Sequence, residues 1–349
     1  MKAGSNRRLQ LVAGTTPSRS ISDHQTRVAV LALPGSALSD LAGPWETFLL
    51  AGRLAQKKLG LTRPCYEVAL LSLEGSSVST LSGLEISGAC PFDAYQGVPD
   101  TLVVVGEPDS MQERKDYSAL FEWLRRVTRE SRRVCSVCTG AFCLAQAGLL
   151  DGCRVTTHWQ YARALAQRHP AVQVDPEPLF LRDGKFYTSA GCTAAMDLSL
   201  ALVEEDVGFE IATEIARDMI MFLRRPGRHA QISPLLKLQM SERKPMRELQ
   251  TWMLENLNLP LTVEDLAEQV HMSPRNFARS FVAAVGTTPA RFLETLRLEV
   301  ARRRLEETDA GMDQIASDCG FGSAEVMRRS FARHLGVPPS AYRRQSDLA

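Results

Sequence analysis

Two hydrophobic patterns divide the chain. Between residues 27 and 137, short continuous apolar runs alternate with segments of helical periodicity, which predicts buried parallel strands separated by helices. The runs are RVAVLAL from Arg27, YEVALLS from Tyr66, TLVVVG from Thr101 and RRVCSV from Arg132. Strands of this kind need helices on both faces of their sheet, so the first part of the chain is predicted to be an α/β doubly wound domain.

The alternation ends with a hairpin, two helices and a break. Asp183-Gly184 lies between two short strand patterns and predicts a hairpin, and amphipathic helices are predicted over about 192–205 and 208–223. Residues 226–245 then combine prolines and charges without periodicity. We expect an exposed linker there, after a first domain over residues 26–225.

The composition suits a globular protein with two domains. The chain has 349 residues, of which 44% are hydrophobic and 23% charged, and its 41 Lys and Arg nearly balance its 40 Asp and Glu. Eight cysteines lack the spacing of a disulfide framework or a zinc site, so we expect reduced thiols in a cytoplasmic protein without metal or cofactor. Residues 1–25 contain no signal-peptide or membrane pattern and are expected to form a disordered tail.

Cys138 occupies a position where ligands commonly bind. It follows the strand pattern RRVCSV, and Thr139 begins the next helix, at the sheet edge where open α/β folds bind their ligands. Because a helix N-terminus lowers the pKa of a nearby thiol, we expect a reactive cysteine in a pocket. The alternative is one more buried cysteine, which is what we expect of Cys135 and Cys143.

The residues around Cys138 carry a family resemblance. The segments CTGAFCLAQAGLLDG (138–152), TTHW (156–159), TSAGCTAAMDLSLALV (188–203) and DLAGPWETF (40–48) resemble the PfpI-like branch of the class I glutamine amidotransferase-like superfamily. The resemblance implies a flavodoxin-like fold with Cys138 at a strand-to-helix elbow. It also implies that His158 faces the thiol, that Asp40 approaches it, and that Gly106 lies by backbone amides of the oxyanion type.

Two departures from the catalytic members of that superfamily argue against an enzyme. Amidotransferases carry a carboxylate two residues after the histidine, where this chain has Gln160, and PfpI-type proteases carry a histidine directly after the cysteine, where it has Thr139. A nucleophile needs a base, and the base needs an orienting partner. We therefore predict no catalytic residue and interpret His158 as a polar pocket wall rather than a general base. Asp40 is either a pocket residue or a helix cap.

An internal repeat occupies the last third of the chain. SPRNFARSFVAAVGTTPARF (273–292) aligns with SAEVMRRSFARHLGVPPSAY (323–342) at an offset of 50, and a short helix pattern precedes each copy. Both copies are typical of a helix-turn-helix unit. In the first copy, Thr262 and Asp265 predict a capping box, Ser273 predicts the next N-cap, and Phe277 and Phe281 are expected to be buried.

The outward residues of the second helix in each copy are expected to contact DNA. They are Arg275, Asn276 and Arg279 in the first copy and Glu325, Arg328 and Arg329 in the second, whereas Val326, Met327 and Phe331 should point largely inward. Seven arginines oppose two glutamates over residues 271–304, and five oppose one over residues 319–344. Arginine-rich helices are usually solvated faces, but tandem units with matching caps favour DNA binding.

Residues 246–345 resemble the AraC/XylS DNA-binding domain, above all in IASDCGFGSAEVMRRSFARHLGVPPSAYRR (315–344). The resemblance implies an all-α domain of seven helices, with two units entering successive major grooves about one turn, ~34 Å, apart. It makes Arg275 and Arg279 the base readers of the first unit. In the second unit Ala324, Glu325 and Arg329 hold the corresponding places, although Ala324 has no hydrogen-bonding group.

Residues 26–345 together resemble the GlxA-type transcriptional regulators. The combination predicts a regulator that binds double-stranded DNA sequence-specifically and senses a small metabolite in its first domain. The resemblance implies a homodimer and an effector that is amino-acid-like or a quaternary amine. Two alternatives stay open, a Cys-dependent hydrolase or amidase fused to a DNA-binding domain, and a redox or electrophile sensor that uses the Cys138 thiolate.

Overall fold

The computed structural model describes residues 25–106, 117–221, 224–232, 244–335 and 337–347. They form two compact units, of which the first ends at Gln231 and the second begins at Ile232. The predicted tail lies outside the described residues except for Gln25, and so do residues 233–243 of the predicted linker. Within the described ranges every helix is too short or too polar to span a bilayer.

The first unit is an α/β domain. Its strands are β1 (Thr26–Ala32), β2 (Tyr66–Ser72), β3 (Ser77–Ser79), β4 (Glu85–Ser87), β5 (Cys90–Pro91), β6 (Thr101–Val105), β7 (Arg133–Val137), β8 (Arg154–Val155), β9 (Gln173–Val174), β10 (Phe180–Asp183) and β11 (Phe186–Ser189). Its helices are α1 (Leu38–Leu59), α2 (Ser118–Glu130), α3 (Gly140–Gln146), α4 (Trp159–Arg168), α5 (Thr193–Val207) and α6 (Phe209–Asp218).

Seven of these strands form one sheet in the order β10-β11-β7-β6-β1-β2-β5, and its neighbouring pairs are parallel except β10 with β11. Along β1, Val28 and Val30 face a core shared with α1, α5 and α6. Ala29 and Leu31 face a second core with α2, α3 and α4. Successive side chains of a strand point to opposite faces, so a strand buried on both faces is apolar throughout. The doubly wound fold is thereby confirmed.

Two predictions at the end of this domain have different outcomes. The hairpin is confirmed, since β10 and β11 are antiparallel and Gly184 supplies a left-handed φ of 59°. The second amphipathic helix is shorter than predicted. Helix α6 ends at Asp218, and Ile220 has a φ of 54°, which a right-handed helix does not contain.

A buried arginine ties several strands together at the amino end of the sheet. Arg133, the first residue of β7, is 2% exposed and donates through Nε to the Thr101 hydroxyl at 2.9 Å. Its guanidinium also pairs with Asp206 and with Glu205 of α5. Tyr66 of β2 donates its hydroxyl to Asp206 at 2.8 Å. Burial is the largest single effect on the pKa of Asp206 and raises it, but the charges and hydrogen bonds of Arg133 and Arg132 together outweigh burial and hold this pKa below its usual value, so the pair is ionised.

The first domain extends further than predicted. Residues 224–231 pack against it, although the sequence predicts a linker from residue 226. Leu179 donates its N–H to the His229 carbonyl at 2.9 Å, and Phe180 donates to the Gly227 carbonyl at 3.2 Å. Strand β10 is an edge strand with unpaired N–H groups, which this segment satisfies. An irregular segment gives no periodic signal, so the sequence could not indicate this attachment.

The second unit is all-helical, as predicted. Its described residues form seven helices, α7 (Lys244–Glu255), α8 (Val263–Gln269), α9 (Pro274–Val285), α10 (Pro289–Glu307), α11 (Met312–Asp318), α12 (Ala324–Leu335) and α13 (Pro339–Asp347). Phe277, Phe281 and Leu296 belong to one core, and Leu298 and Phe331 belong to another. Each helix pair α8–α9 and α11–α12 therefore has its own core, and the long helix α10 contributes to both.

Candidate functional site

Cys138 lies on a strained turn between β7 and α3, here called the elbow. Its φ of 55° falls in the left-handed region, which costs free energy for a residue other than glycine. Neighbouring strands and loops hold it there, since the Cys138 N–H donates to the Ser189 carbonyl at 3.0 Å and its carbonyl accepts from the Thr157 hydroxyl at 2.6 Å. The elbow thus fixes the thiol at the carboxyl edge of the sheet.

Two glycines let the backbone of β6 touch the start of α3. A Cβ built on Gly106 would lie 2.0 Å from the Gly140 nitrogen, and one on Gly140 would lie 2.1 Å from the Val104 carbonyl oxygen. Gly106 therefore lies beside the elbow amides, where the resemblance puts it. Its own N–H donates to the Val137 carbonyl at 3.3 Å, so this amide is already engaged.

Asp40 lies against the thiol and does not cap its helix. It is 1% exposed in the first turn of α1, whose N-cap Ala37 has no side-chain cap. Its Oδ1 accepts a hydrogen bond from the Cys192 N–H, and its carboxyl is also hydrogen-bonded to the Cys138 side chain. Gly191, with a φ of 92°, leaves room, since a Cβ there would lie 2.5 Å from the Cys138 Cβ. The capping interpretation is wrong, and Cys192 is a neighbour that sequence reasoning missed.

The expectation of a low thiol pKa is also wrong. Burial is the largest effect and the Asp40 carboxylate the next, and together they raise the pKa of Cys138 well above its usual value. A hydrogen bond from the Thr139 N–H to the sulfur lowers it but is outweighed. Burial likewise raises the pKa of Asp40, against the hydrogen bond from Cys192. Desolvation of a nearly enclosed thiol thus dominates over the start of the short helix α3.

His158 is the N-cap of α4, and its tautomer decides what it can do. Its Nδ1 accepts from the backbone N–H of Gln160 at 3.4 Å. Burial lowers the pKa of His158, although the Asp40 charge acts in the opposite direction, so the ring is neutral near pH 7. An acceptor at Nδ1 leaves the proton on Nε2. A general base in a triad has the reverse arrangement, with Nδ1–H donating to a carboxylate.

Thr139 presents a buried polar group without a partner. The residue is fully buried, and its hydroxyl makes no hydrogen bond to any residue that the structure describes. A Cβ built on Gly106 would lie 2.4 Å from this hydroxyl oxygen, which places it between the elbow and the end of β6. All five predicted pocket residues therefore cluster around the elbow. They are Cys138, His158, Asp40, Thr139 and Gly106.

Gln231, the last residue of the first unit, is bonded to the loop that carries His158. Its side-chain oxygen accepts from the Trp159 N–H at 2.9 Å. Its amide nitrogen donates to the Thr157 carbonyl at 2.8 Å and to the Thr156 hydroxyl at 3.1 Å. The chain that leads towards the second unit is therefore attached beside the elbow. A glutamine within a Pro- and Arg-rich segment gives no sequence signal for such a contact.

The first helix-turn-helix unit agrees with its sequence prediction. Thr262 and Asp265 form a capping box on α8, and Ser273 caps α9, with Pro274 at its first position. Phe277 and Phe281 are fully buried. The predicted outward residues of α9 are exposed, and they are Arg275, Asn276 and Arg279. Arg279 and Asn276 are joined by a hydrogen bond of 3.2 Å.

The second helix-turn-helix unit has the same cap and buried positions as the first but a different set of exposed residues. Ser323 caps α12 through the Val326 N–H at 3.3 Å. Met327 and Phe331 are buried as predicted, but Val326 is 40% exposed, so its inward prediction is wrong. The residue next to it in sequence, Met327, takes the inward position. Glu325, Arg328 and Arg329 are exposed, and Glu325 accepts two hydrogen bonds from Arg328 at 2.7 and 2.8 Å.

Helix α10 is joined to α12 through one carboxylate. Glu294 accepts from the buried Ser330 hydroxyl at 2.9 Å and pairs with Arg333 at 3.3 Å. His334 also lies 3.4 Å from this carboxylate. These contacts position α12 on α10, the helix that links the two helix-turn-helix units.

Several arginines that contribute to the local charge excess have structural roles. Arg297 donates to the Leu259 carbonyl at 2.7 Å, and Arg302 is 4% exposed and donates to the Tyr342 hydroxyl at 3.1 Å. Counting charges along the sequence therefore overstates the cationic surface. The exposed arginines on α9 and α12 are Arg275, Arg279, Arg328, Arg329 and Arg333, of which Arg333 is paired with Glu294.

A metal centre is not indicated. The described residues contain no group of three or more His, Cys, Asp or Glu side chains that could hold a metal ion.

Comparison with known proteins assigns a family to each unit. The DJ-1/PfpI family model matches residues 26–205, and a helix-turn-helix domain model matches residues 266–345. The HTH-type transcriptional regulator GbdR of Pseudomonas aeruginosa is 30% identical over 321 residues, covering 92% of this chain and 85% of GbdR. The HTH-type transcriptional regulator GlxA of Rhizobium meliloti is 29% identical over 343 residues, covering 96% of this chain and 99% of GlxA.

A solved structure agrees with the fold of the first domain. A ThiJ/PfpI family protein from Pseudomonas syringae is 21% identical, with a TM-score of 0.51, over 70% of this chain and 89% of that protein. The two family matches and the relatives that span both domains lead to one assignment. The chain belongs to the family of HTH-type transcriptional regulators in which a DJ-1/PfpI domain precedes an AraC-type helix-turn-helix domain.

Proposed function

We propose that this transcriptional regulator binds a small metabolite beside Cys138 without converting it, and that the bound metabolite changes how the helix-turn-helix units bind DNA. The observation that carries this proposal is the burial and hydrogen bonding of the polar groups around the elbow. Asp40 is a buried carboxyl beside the thiol, and the buried Thr139 hydroxyl next to the elbow has no hydrogen-bond partner among the described residues, whereas the groups that catalysis needs are already engaged. A buried carboxyl and a buried hydroxyl without a protein partner suit a polar ligand.

Three features argue against a Cys-dependent hydrolase or amidase. The Cys138 pKa is raised, so the thiolate fraction at neutral pH is small. His158 accepts at Nδ1 and so keeps its Nε2 protonated, which prevents it from removing a proton through Nε2. The Gly106 amide is bonded to the Val137 carbonyl rather than free for an oxyanion. A raised thiol pKa equally disfavours an oxidant sensor, which needs a thiolate.

The pocket residues suit an amine. A carboxyl at Asp40 would attract a cation, and a cation there would favour the ionised carboxylate. The rings of Trp159 and Tyr161 each lie 5.7 Å from the His158 ring, and Trp159 is 46% exposed. Aromatic faces attract quaternary ammonium groups. An amino-acid-like molecule or a quaternary amine is therefore the effector class we propose.

The Gln231 contacts offer a route from pocket to DNA. An effector that contacts His158 would shift the Thr156–Trp159 loop. Gln231 is hydrogen-bonded to both ends of that loop, so its position would change as well. The effector need only favour one arrangement over the other, and a hundredfold preference corresponds to about 2.7 kcal/mol. We further propose that the regulator acts in the cytoplasm as a homodimer, as its resemblance to GlxA-type regulators implies.

A thermal-shift screen of the full-length protein tests the pocket. The panel is the twenty amino acids and simple quaternary amines such as choline. A true effector at ten times its Kd should stabilise the first domain by about 1.4 kcal/mol and raise its Tm by about 3–5 °C. Cys138→Ser should keep this shift, because binding needs no thiolate.

Glycine variants supply the control. Gly191→Ala should remove the shift, because its Cβ would lie 2.5 Å from the Cys138 Cβ. Gly148→Ala is the matched variant, since Gly148 also has a left-handed φ, 72°, but has nothing within 4 Å of a built Cβ. If the wild type converts the compound that shifts its Tm and Cys138→Ser does not, the protein is an enzyme and the proposal is contradicted. A Tm shift that Gly191→Ala retains would also contradict the proposal.

A further inference from the structure

We propose that Val326 contacts the 5-methyl group of a thymine in the major groove and makes the second helix-turn-helix unit selective for that base. The inference rests on sequence-specific DNA binding by this domain. Val326 lies in the first turn of α12, where its N–H is bonded to the cap Ser323, and its side chain is 40% exposed. The N-terminal residues of a recognition helix are those that reach base edges.

The chemistry of an exposed valine selects one partner in the groove. Among the base edges of the major groove, the thymine methyl is the apolar group, and the other groups are hydrogen-bond donors and acceptors. An isopropyl group offers neither a donor nor an acceptor. It therefore stabilises a complex with thymine by burying two apolar surfaces and leaves a donor or acceptor of another base without a partner.

The repeat strengthens this assignment because the two units differ at this place. At the offset of 50 residues, Val326 corresponds to Asn276. Asn276 is polar, exposed and bonded to Arg279, so the first unit presents hydrogen-bonding groups. The second unit presents a branched apolar side chain on the same turn of an equivalent helix. The two helix-turn-helix units, although built alike, therefore contact different chemical groups of the bases.

The charged neighbours of Val326 are occupied with each other. Glu325 accepts from the Nε and Nη2 atoms of Arg328 at 2.8 and 2.7 Å. A carboxylate in such a pair is not free to accept from the cytosine amino group, which is the base contact expected of glutamate. Val326 and the more loosely held Arg329, whose Nε lies 4.0 Å from Glu325, remain to contact the groove.

Uracil substitution tests the contact, since uracil lacks the thymine methyl and keeps its hydrogen-bonding groups. The probe is a duplex selected in vitro from a random library by the full-length protein, with each thymine replaced by uracil in turn. Kd is measured by fluorescence anisotropy. At one position in the half-site of the second unit, wild type should lose about fourfold in affinity, as expected for one buried methyl group. Val326→Ala should bind the thymine and uracil duplexes equally.

Val282→Ala is the matched control. Val282 is 41% exposed on α9 but lies in its C-terminal half, away from the residues that reach bases. This variant should keep the full sensitivity to uracil. The proposal is overturned if no uracil position weakens the wild type, or if Val326→Ala keeps the wild-type sensitivity. Failure of the wild type to select any sequence would instead contradict sequence-specific binding itself.

Discussion

Replacing Arg133 with methionine should lower the free energy of unfolding of the first domain by about 3–5 kcal/mol. The substitution removes the buried cation that Asp206 and Glu205 share and leaves Asp206, whose side chain is only 8% exposed, with the more exposed Arg132 as its cationic partner. Removing one partner of a buried ion pair is costly because it strands a desolvated charge. Urea denaturation followed by circular dichroism at pH 7 measures the effect.

Arg132→Met provides the comparison for Arg133. Arg132 pairs with the same Asp206 carboxylate at 2.6 Å, but its side chain is 38% exposed. Its loss should cost no more than about 1 kcal/mol, as for other exposed pairs. Because Arg133 lowers the folded-state pKa of Asp206, the stability from this pair is present above the ordinary pKa and is lost as the pH falls. The two variants should therefore converge in acid, and equal losses at pH 7 would refute the network.

Replacing Arg279 with alanine should cost about 1–3 kcal/mol of discrimination at one base pair, or roughly 5- to 150-fold. Arg279 is exposed on α9 and held by Asn276, which presents its guanidinium in a defined direction. Arginine in this position can bind guanine O6 and N7 together. The measurement is the ratio of Kd values for the selected duplex and for duplexes with each base pair exchanged.

Arg291→Ala separates base reading from phosphate binding. Arg291 is exposed in the first turn of α10, outside α9 and α12. Any phosphate contact that it makes should affect all sequences alike. Arg279→Ala should instead flatten the preference at a single position. Uniform loss across all duplexes for Arg279→Ala would reduce it to a phosphate contact.

The sequence predicted those parts of the fold in which many residues repeat one signal. The runs at Val28 and Leu102 are apolar at every position because both faces of the sheet are buried. The capping box at Thr262 has a fixed spacing and needs no distant partner. Strands β5, β8 and β9, of two residues each, were not predicted, because two positions cannot show an alternation.

The errors arose where distant contacts decide the outcome. The Cys138 pKa depends on burial and on Asp40, which lies almost a hundred residues away in the chain, rather than on the adjacent helix. Gln231 donates a hydrogen bond to Thr157 across 74 residues of chain, which no local pattern reveals. Val326 and Met327 are adjacent and both lie near the boundary of the buried stripe of α12, so the 3.6-residue period cannot decide which of them is buried. Packing in the folded domain buries Met327 and leaves Val326 exposed.

Equilibrium binding of the full-length protein to two duplexes tests whether it binds DNA sequence-specifically. One duplex is selected in vitro by the protein and the other is a scrambled sequence, and Kd is measured for both between 50 and 200 mM salt. The selected duplex should bind at least about 10³-fold more tightly than the scrambled one. Both affinities should fall with salt, as phosphate neutralisation requires. Equal affinity for both duplexes, or binding that is insensitive to salt, would show that the protein is not a sequence-specific DNA-binding regulator.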